Sequence, residues 1–224
     1  MTAYRPRESL LDFYTHALAA RENTCEDLQA PIASEFAQLI GALPLTGRDR
    51  TALDIGYGAG AYSIAMAQEG YRVHAVDQVP ADLLTATLPD TDWATRIHVV
   101  EARIEDYTIP APLGLLVAKD VLHYLTPQDV QGVVGAGIQA SVPGSCHYLH
   151  VFTDIRRTSR NGDIVHIDGE LGWTAQELAA TCTRLYRGWS LDCARGEYVE
   201  RDRHTGRPHF EATRVTLIAR RPQR

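Results

Sequence analysis

The chain of 224 residues is poor in lysine: of its 22 basic residues only Lys119 is one, the rest being arginine. It has no Lys/Arg-rich run, and its net charge is −6, so it shows no electrostatic footprint for nucleic acid as a partner. Cysteine is scarce. Cys25, Cys146, Cys182 and Cys193 contain no C-x-x-C pair, which reads as reduced thiols in a cytoplasmic protein without a zinc site. No His/Cys/Asp cluster has metal spacing, so no metal is expected. No apolar run approaches the roughly 20 residues of a membrane helix, and Met1–Glu8 has no apolar core of a signal peptide. Repeats and low-complexity segments are also missing. What is present, 45% hydrophobic and 22% charged residues, is ordinary for a soluble globular domain. The length suits one domain, 1–224, as a monomer or homodimer, with residues 1–47 as a helical cap and 48–224 as the core.

The most informative stretch runs from Thr51 to Ser63. Ala52-Leu53-Asp54-Ile55 predicts a short buried strand. Gly56, Gly58 and Gly60 then alternate, and Tyr62–Gln68 predicts a helix. Strand, glycine turn and helix bring backbone N–H groups against a nucleotide-like ligand. Before it, residues 8–43 read as helices around a polar loop at Arg21–Asp27. They either pack as a pair or form a lid carrying Tyr14 and His16.

After it, strand–helix repeats follow. Strands are expected at Tyr71–Asp77, Arg96–Ala102, Leu113–Ala118 and Cys146–Phe152, with helices at Asp82–Leu88 and Val130–Ser141. The second of these helices is glycine-rich and reads as irregular. Thr126-Pro127 with Asp129 is a helix start, and Pro143-Gly144 is a turn. His147 and His150 fall on opposite faces of their strand. Thr153–Leu171 reads as a long polar connection, with Arg156, Arg157, Arg160 and His166 as candidates to bind substrate. Thr174-Ala-Gln-Glu177 is a capping box opening a helix. Trp189–Arg201 and Phe210–Arg220 predict an antiparallel hairpin. Repeated βα units imply a parallel sheet, whose ligands lie past the carboxyl ends of the strands.

Gly56-x-Gly58-x-x-Ala61 fits a dinucleotide fingerprint, and Asp77 suits NAD. Three features point elsewhere: Asp54 two residues before the first glycine, the helical preface, and the closing hairpin. Together they resemble the class I S-adenosylmethionine-dependent methyltransferases, over nearly all the chain from residue 51 on. The resemblance implies a Rossmann-like α/β fold, with a mostly parallel seven-stranded sheet, helices on both faces and a C-terminal antiparallel hairpin. It implies S-adenosyl-L-methionine as cofactor, S-adenosyl-L-homocysteine as product, and a methyl acceptor that is a small-molecule oxygen or nitrogen, with sulfur or a chalcogen next. An NAD(P)-dependent oxidoreductase, or an S-adenosylmethionine-binding protein with a non-methylating reaction, is the alternative.

Matched residue by residue, Asp54 would sit near the methionine ammonium. Gly56, Tyr57, Gly58 and Gly60 would line the cofactor, with Asp77 and Gln78 at the ribose. Arg103-Ile104 stands where many members carry an acid facing the adenine amino group, so adenine would be read by the backbone around Ile104 or by Asp106. Lys119 begins the motif after strand four, facing the methionine part. His123 is a candidate general base or a packed histidine. Tyr14 and Tyr124 would line the substrate or sulfonium, and Tyr14 is the second candidate for catalysis. In the tail, Asp168-Gly-Glu-Leu, Arg195-Gly-Glu197 and Phe210-Glu-Ala-Thr213 are similar to the small tellurite-resistance-type methyltransferases.

Overall fold

In a computed structural model, which describes residues 2–6, 8–20, 32–159, 161–202 and 204–223, the repeats fold around two strands buried on both faces. These are β2 (Thr51–Ile55) and β5 (Leu113–Lys119). The remaining elements are β1 (Thr2–Arg5), α1 (Glu8–Ala19), α2 (Ser34–Ala42), α3 (Ala61–Gln68), β3 (Arg72–Asp77), α4 (Ala81–Thr85), β4 (Ile97–Glu101), α5 (Pro127–Ala140), β6 (Ser141–Thr158), β7 (Ile164–Ile167), α6 (Ala175–Leu185), β8 (Ser190–Arg201) and β9 (Pro208–Arg220).

Strands β4, β3, β2, β5 and β6 lie side by side and parallel; β9 runs antiparallel on β6, and β8 antiparallel on β9. Alternation along the strands divides the core. Leu53, Ile55 and Leu116 face Val130, Val134, Leu178 and Tyr186 on the side of α5 and α6. Ala52, Leu115 and Val117 face Phe36, Ile40 and Met66 on the side of α2 and α3. Helix α2 has no side-chain N-cap, a loss of about 1 kcal/mol. Burial of Phe36, Leu39 and Ile40, at roughly 1.5–3 kcal/mol each, outweighs it.

Four expectations are corrected. The sheet has nine strands among the described residues rather than seven, because β1 and β7 are added. The connection at 153–171 is no long loop: β6 continues to Thr158, and β7 follows after a turn. The expected turn at Pro143-Gly144 lies inside β6, where the register with β5 shifts between Leu113 and Leu115. Helix α5 is continuous despite its glycines. Thr126 accepts from the Asp129 N–H, Pro127 sits in its first turn, and Val130, Val133 and Val134 are buried. The expected loop at Arg21–Asp27, with Cys25, lies outside the described residues, as does Arg160.

The added strands have a definite place. Arg157 pairs with Val165 of β7 and with Phe210 of β9, so β7 and β9 flank β6 on opposite edges. Lower down, β5 occupies the same edge as β7. The β7 strand therefore lies beyond the carboxyl end of β5, and β1 pairs parallel to it, Thr2 opposite Ile164. Together with α1, this small arm stands at the end of the sheet where ligands of such folds bind.

Candidate functional site

The turn after β2 has its three glycines at φ 69, 50 and 82°, all left-handed, a region that glycine enters without a Cβ penalty. A Cβ on Gly56 would lie 2.6 Å from Val121, and one on Gly60 2.4 Å from Leu84. One on Gly58 would meet no atom within 4 Å. Two glycines thus pack against protein, and the middle one faces open space, the cradle a ligand would fill. The Gly56–Val121 approach also ties the turn to the segment after β5.

Asp77 ends β3 and closes on the same turn. Its carboxylate accepts from the N–H groups of Gly58 (3.2 Å), Gln78 (2.7 Å) and Val79 (3.4 Å). Burial raises its pKa, and these N–H groups oppose the rise. Asp54 is buried beneath the turn and accepts from the Ser63 hydroxyl at 2.6 Å. Burial raises its pKa to about 6, with the Ser63 bond working against burial and Asp77 adding to it. Tyr57 is buried, and its hydroxyl reaches the Val79 carbonyl at 3.5 Å. Ile104 is buried, whereas Arg103 is exposed and held by Glu105 at 2.9 Å and Asp106 at 3.8 Å.

Past β5 the chain builds a charged cluster. Lys119 is ion-paired with one oxygen of Asp120, and Nδ1 of His150 bonds the other. Asp120 sits at φ 56°, a left-handed conformation uncommon for a residue with a side chain. Burial alone would raise its pKa, but His150 and Lys119 outweigh it and hold the carboxyl well below the usual range. The Lys119 ammonium also lies 6.0 Å from the Tyr62 ring centroid on α3. The sequence places Asp120 in the motif after β5 without a role of its own, and does not bring His150 to the site. Their signal is the strand register, which sets Lys119 opposite His150.

Tyr14 of α1 reaches this region: its hydroxyl is 2.7 Å from that of Tyr124. His16, on the same helix, is exposed and bonded to the Asp12 carbonyl at 2.6 Å. Arg156 and His166 are exposed on β6 and β7. Arg157 is turned inward onto Glu170 at 2.6 Å, and its guanidinium lies over Phe210. The structure thus brings Asp54, Tyr57, Gly58, Asp77, Gln78, Lys119, Tyr14 and Tyr124 to one end of the sheet, and leaves His16 and Arg156 facing outward. Among the described residues no group of His, Cys, Asp and Glu could hold a metal ion, and no helix is long and apolar enough to cross a membrane. Cys146 and Cys182 are buried free thiols; Cys193 is exposed and free.

His123 is buried, its ring 4.0 Å from that of Tyr124 and 5.3 Å from that of Phe152, and its Nδ1 has no hydrogen-bond partner. Burial pulls its pKa down to about 3, and does the same to His147. Both stay neutral in the fold, while an unfolded histidine binds a proton below about 6.5. The stability they contribute is complete above that pH and is lost as pH falls, at about 1.4 kcal/mol per pH unit for each. Asp54, shifted upward, acts in the opposite sense between 3.8 and about 6. Replacing His123 by Phe is therefore expected to flatten the wild-type fall in stability between pH 6 and 4 by about one proton's worth. Urea unfolding across that range reads it; an unchanged slope would place a charged His123 in the native state.

Residues 52–144 match a family model described as a methyltransferase domain. Among curated proteins the chain is 33% identical over 85 residues to the tRNA1(Val) (adenine(37)-N6)-methyltransferase of Aeromonas salmonicida (strain A449). That match spans 36% of this chain and 36% of the relative's length. Among solved structures it is similar to the 1,6-didemethyltoxoflavin-N1-methyltransferase of Burkholderia thailandensis, bound to 1,6-didemethyltoxoflavin and S-adenosylhomocysteine. The TM-score is 0.62 at 18% identity, over 96% of this chain and 88% of that one. It is similar also to TehB from Haemophilus influenzae, with a TM-score of 0.58 at 17% identity, over 88% of this chain and 65% of that one. At such identities the structural likenesses speak for the fold. The matched segment carries the glycine turn and the central strands, and the fold around it is similar to that of methyltransferase structures.

Proposed function

We propose that the protein transfers a methyl group from S-adenosylmethionine to an oxygen or nitrogen of a small molecule. The observation that carries this reading is the open space at Gly58, with the Asp77 carboxylate on one side and the Lys119–Asp120–His150 cluster beyond Val121 on the other. The residues fit the cofactor. Gly58 leaves room for it, Asp77 can accept from ribose hydroxyls, and the backbone after β5 can face the methionine part. When bound, the cofactor supplies a methyl group already activated on a sulfonium. The chain's own task is to hold the acceptor in line and keep water out. The hydroxyl pair of Tyr14 and Tyr124 brings α1 over the carboxyl ends of the strands, which suits a small acceptor better than a long polymer. The toxoflavin-type neighbour, whose name gives a small heterocycle as acceptor, supports the same class.

The tRNA-modifying relative names RNA as the second reading. The net charge of −6 weighs against it, because phosphate binding is driven largely by Lys and Arg. The proposal takes the protein to be cytoplasmic, a single domain, and a monomer or homodimer.

Calorimetry tests the reading. S-adenosylhomocysteine is expected to bind in the micromolar range and NADH not at all. Asp77→Ala removes both the ribose acceptor and the anchor of the glycine turn. It is expected to weaken S-adenosylhomocysteine by about 1–3 kcal/mol, or roughly 5- to 150-fold. Unchanged affinity in that variant overturns the site placement, and NADH binding restores the oxidoreductase. A screen with isotope-labelled methyl donor against phenols, heterocyclic amines, thiols and transfer RNA then separates the acceptor classes.

A further inference from the structure

We propose that His150 is the general base of the transfer, positioned by Asp120, and that its Nε2 takes the proton from the acceptor's hydroxyl or amine. This rests on the methyltransferase reading and deepens it by assigning the acceptor a removable proton.

The geometry begins with the register. Lys119, the last residue of β5, pairs with His150 on β6, and the next residue, Asp120, donates its backbone N–H to the His150 carbonyl at 2.9 Å. Asp120 is thus joined to His150 through both main chain and side chain. Its left-handed backbone aims the carboxylate back at the imidazole. Residues held in sparse backbone conformations cluster at functional sites.

An ionised carboxylate only accepts hydrogen bonds, so Nδ1 of a neutral His150 must be the protonated nitrogen, and Nε2 carries the lone pair. Lys119 occupies the second carboxylate oxygen and keeps Asp120 ionised. Among the described residues no hydrogen-bond partner engages Nε2, and unlike Nδ1 of His123 it is not a buried orphan. His150 itself is 8% exposed, so its ring is held while one edge stays reachable.

His123, the base the sequence favours, has neither property. Its Nδ1 has no orienting partner, and burial makes its imidazole a weak base. The groups that face His150 are Asp120 and Lys119 from the end of β5, His123 from the following turn, and Phe152, 5.8 Å away between ring centroids. Arg157, farther along β6, acts on His123. Among the described residues Asp120 is the one anion in direct contact with His150.

In the step, the acceptor heteroatom bonds to the methyl carbon as the carbon–sulfur bond breaks. The sulfur keeps the bonding pair and becomes a neutral thioether. The acceptor's proton passes to Nε2, and His150 returns it to solvent when product leaves. Asp120 touches the base and not the acceptor, so it is a positioning residue.

Long-range proton–nitrogen NMR of the full chain with S-adenosylhomocysteine bound tests this without an acceptor. His150 is expected as the Nδ1–H tautomer. Asp120→Asn, which keeps a residue type tolerant of the left-handed backbone, is expected to weaken that preference and bring up the Nε2–H form, because the amide can donate as well as accept. With the acceptor from the screen, His150→Gln is expected to lower kcat by roughly 10²–10⁴-fold. KM and S-adenosylhomocysteine affinity should stay within about threefold, an effect too small for lost binding contacts. An Nε2–H tautomer in the wild type, or His150→Gln with wild-type kcat, overturns the assignment. Failure of S-adenosylhomocysteine to bind the wild type overturns the methyltransferase reading instead.

Discussion

Gly58→Val is expected to bind S-adenosylhomocysteine at least about a hundredfold more weakly than the wild type, a loss of some 2.8 kcal/mol. The cause is local. A Cβ at Gly58 meets no protein atom within 4 Å, so the valine side chain would enter the space left for the cofactor. The protein should survive the change. Holding a residue with a side chain at φ 50° costs about 1–2 kcal/mol, which lowers Tm by a few degrees in a chain of this size. The neighbouring glycines make the control. Gly56→Val and Gly60→Val would drive a side chain into Val121 or Leu84, so both should lose stability as well as binding. Calorimetry beside a thermal melt separates the cases. A folded Gly58→Val that binds at wild-type strength would show that the cradle lies elsewhere.

Gly114→Ala is expected to give the largest stability loss of any single methyl added to this chain's sheet. Gly114 is the second residue of β5. A Cβ there would stand 1.9 Å from the Asp49 carbonyl oxygen and 2.7 Å from Leu45. A side chain could rotate away; the backbone of the one-turn helix Gly47–Asp49 cannot, because it leads directly into β2. Overpacking typically costs 1–3 kcal/mol, so about 3 kcal/mol is expected, a Tm lower by roughly 6–12 °C. Because the displaced segment feeds the strand before the glycine turn, S-adenosylhomocysteine affinity should fall with it. A Tm within about two degrees of wild type would mean that Gly47–Asp49 does not lie across β5 as described.

The parts of the fold legible in the sequence were those whose signals are local. Ala52–Ile55, but for Asp54, and Leu113–Ala118 are apolar because both faces of the central strands are covered. The Thr174–Glu177 capping box and the Thr126 cap formed where their side chains predict. Strands β1 and β7 were illegible for a physical reason. Each has four residues, and their pairing joins residue 2 to residue 164, a contact that no local pattern encodes. The end of β6, from Thr153 to Thr158, is polar because it has left the doubly covered sheet, and so it reads as loop.

The site divides in the same way. Asp77 and the glycines follow from spacing along one βαβ unit. Arg103 read as a departure from the family pattern, and its guanidinium is held by Glu105 and Asp106 rather than turned to a ligand. Asp120 and His150 meet only through the register of β5 on β6, across thirty residues of chain. Sequence alone therefore favoured His123, which lies next to the motif and ends up packed between rings.

The pairing of β1 with β7 has a consequence for the order of folding. Closing a chain of that length costs entropy that a four-residue ladder repays poorly. Helix α1 adds little, since Ala17 is its only buried residue and Phe13 stands 57% exposed. The central strands can assemble before the ends meet. On the ribosome, β1 emerges well before β7 and must wait for its partner until residues 164–167 are made. A segment made early is thus among the last to dock, and the cooperative unit it forms with β7 is expected to open well below the free energy of global unfolding. Amide exchange should be fast at Thr2–Arg5 and Ile164–Ile167 and slow at Leu113–Lys119, which would let the mouth of the site open and close while the sheet beneath it stays intact.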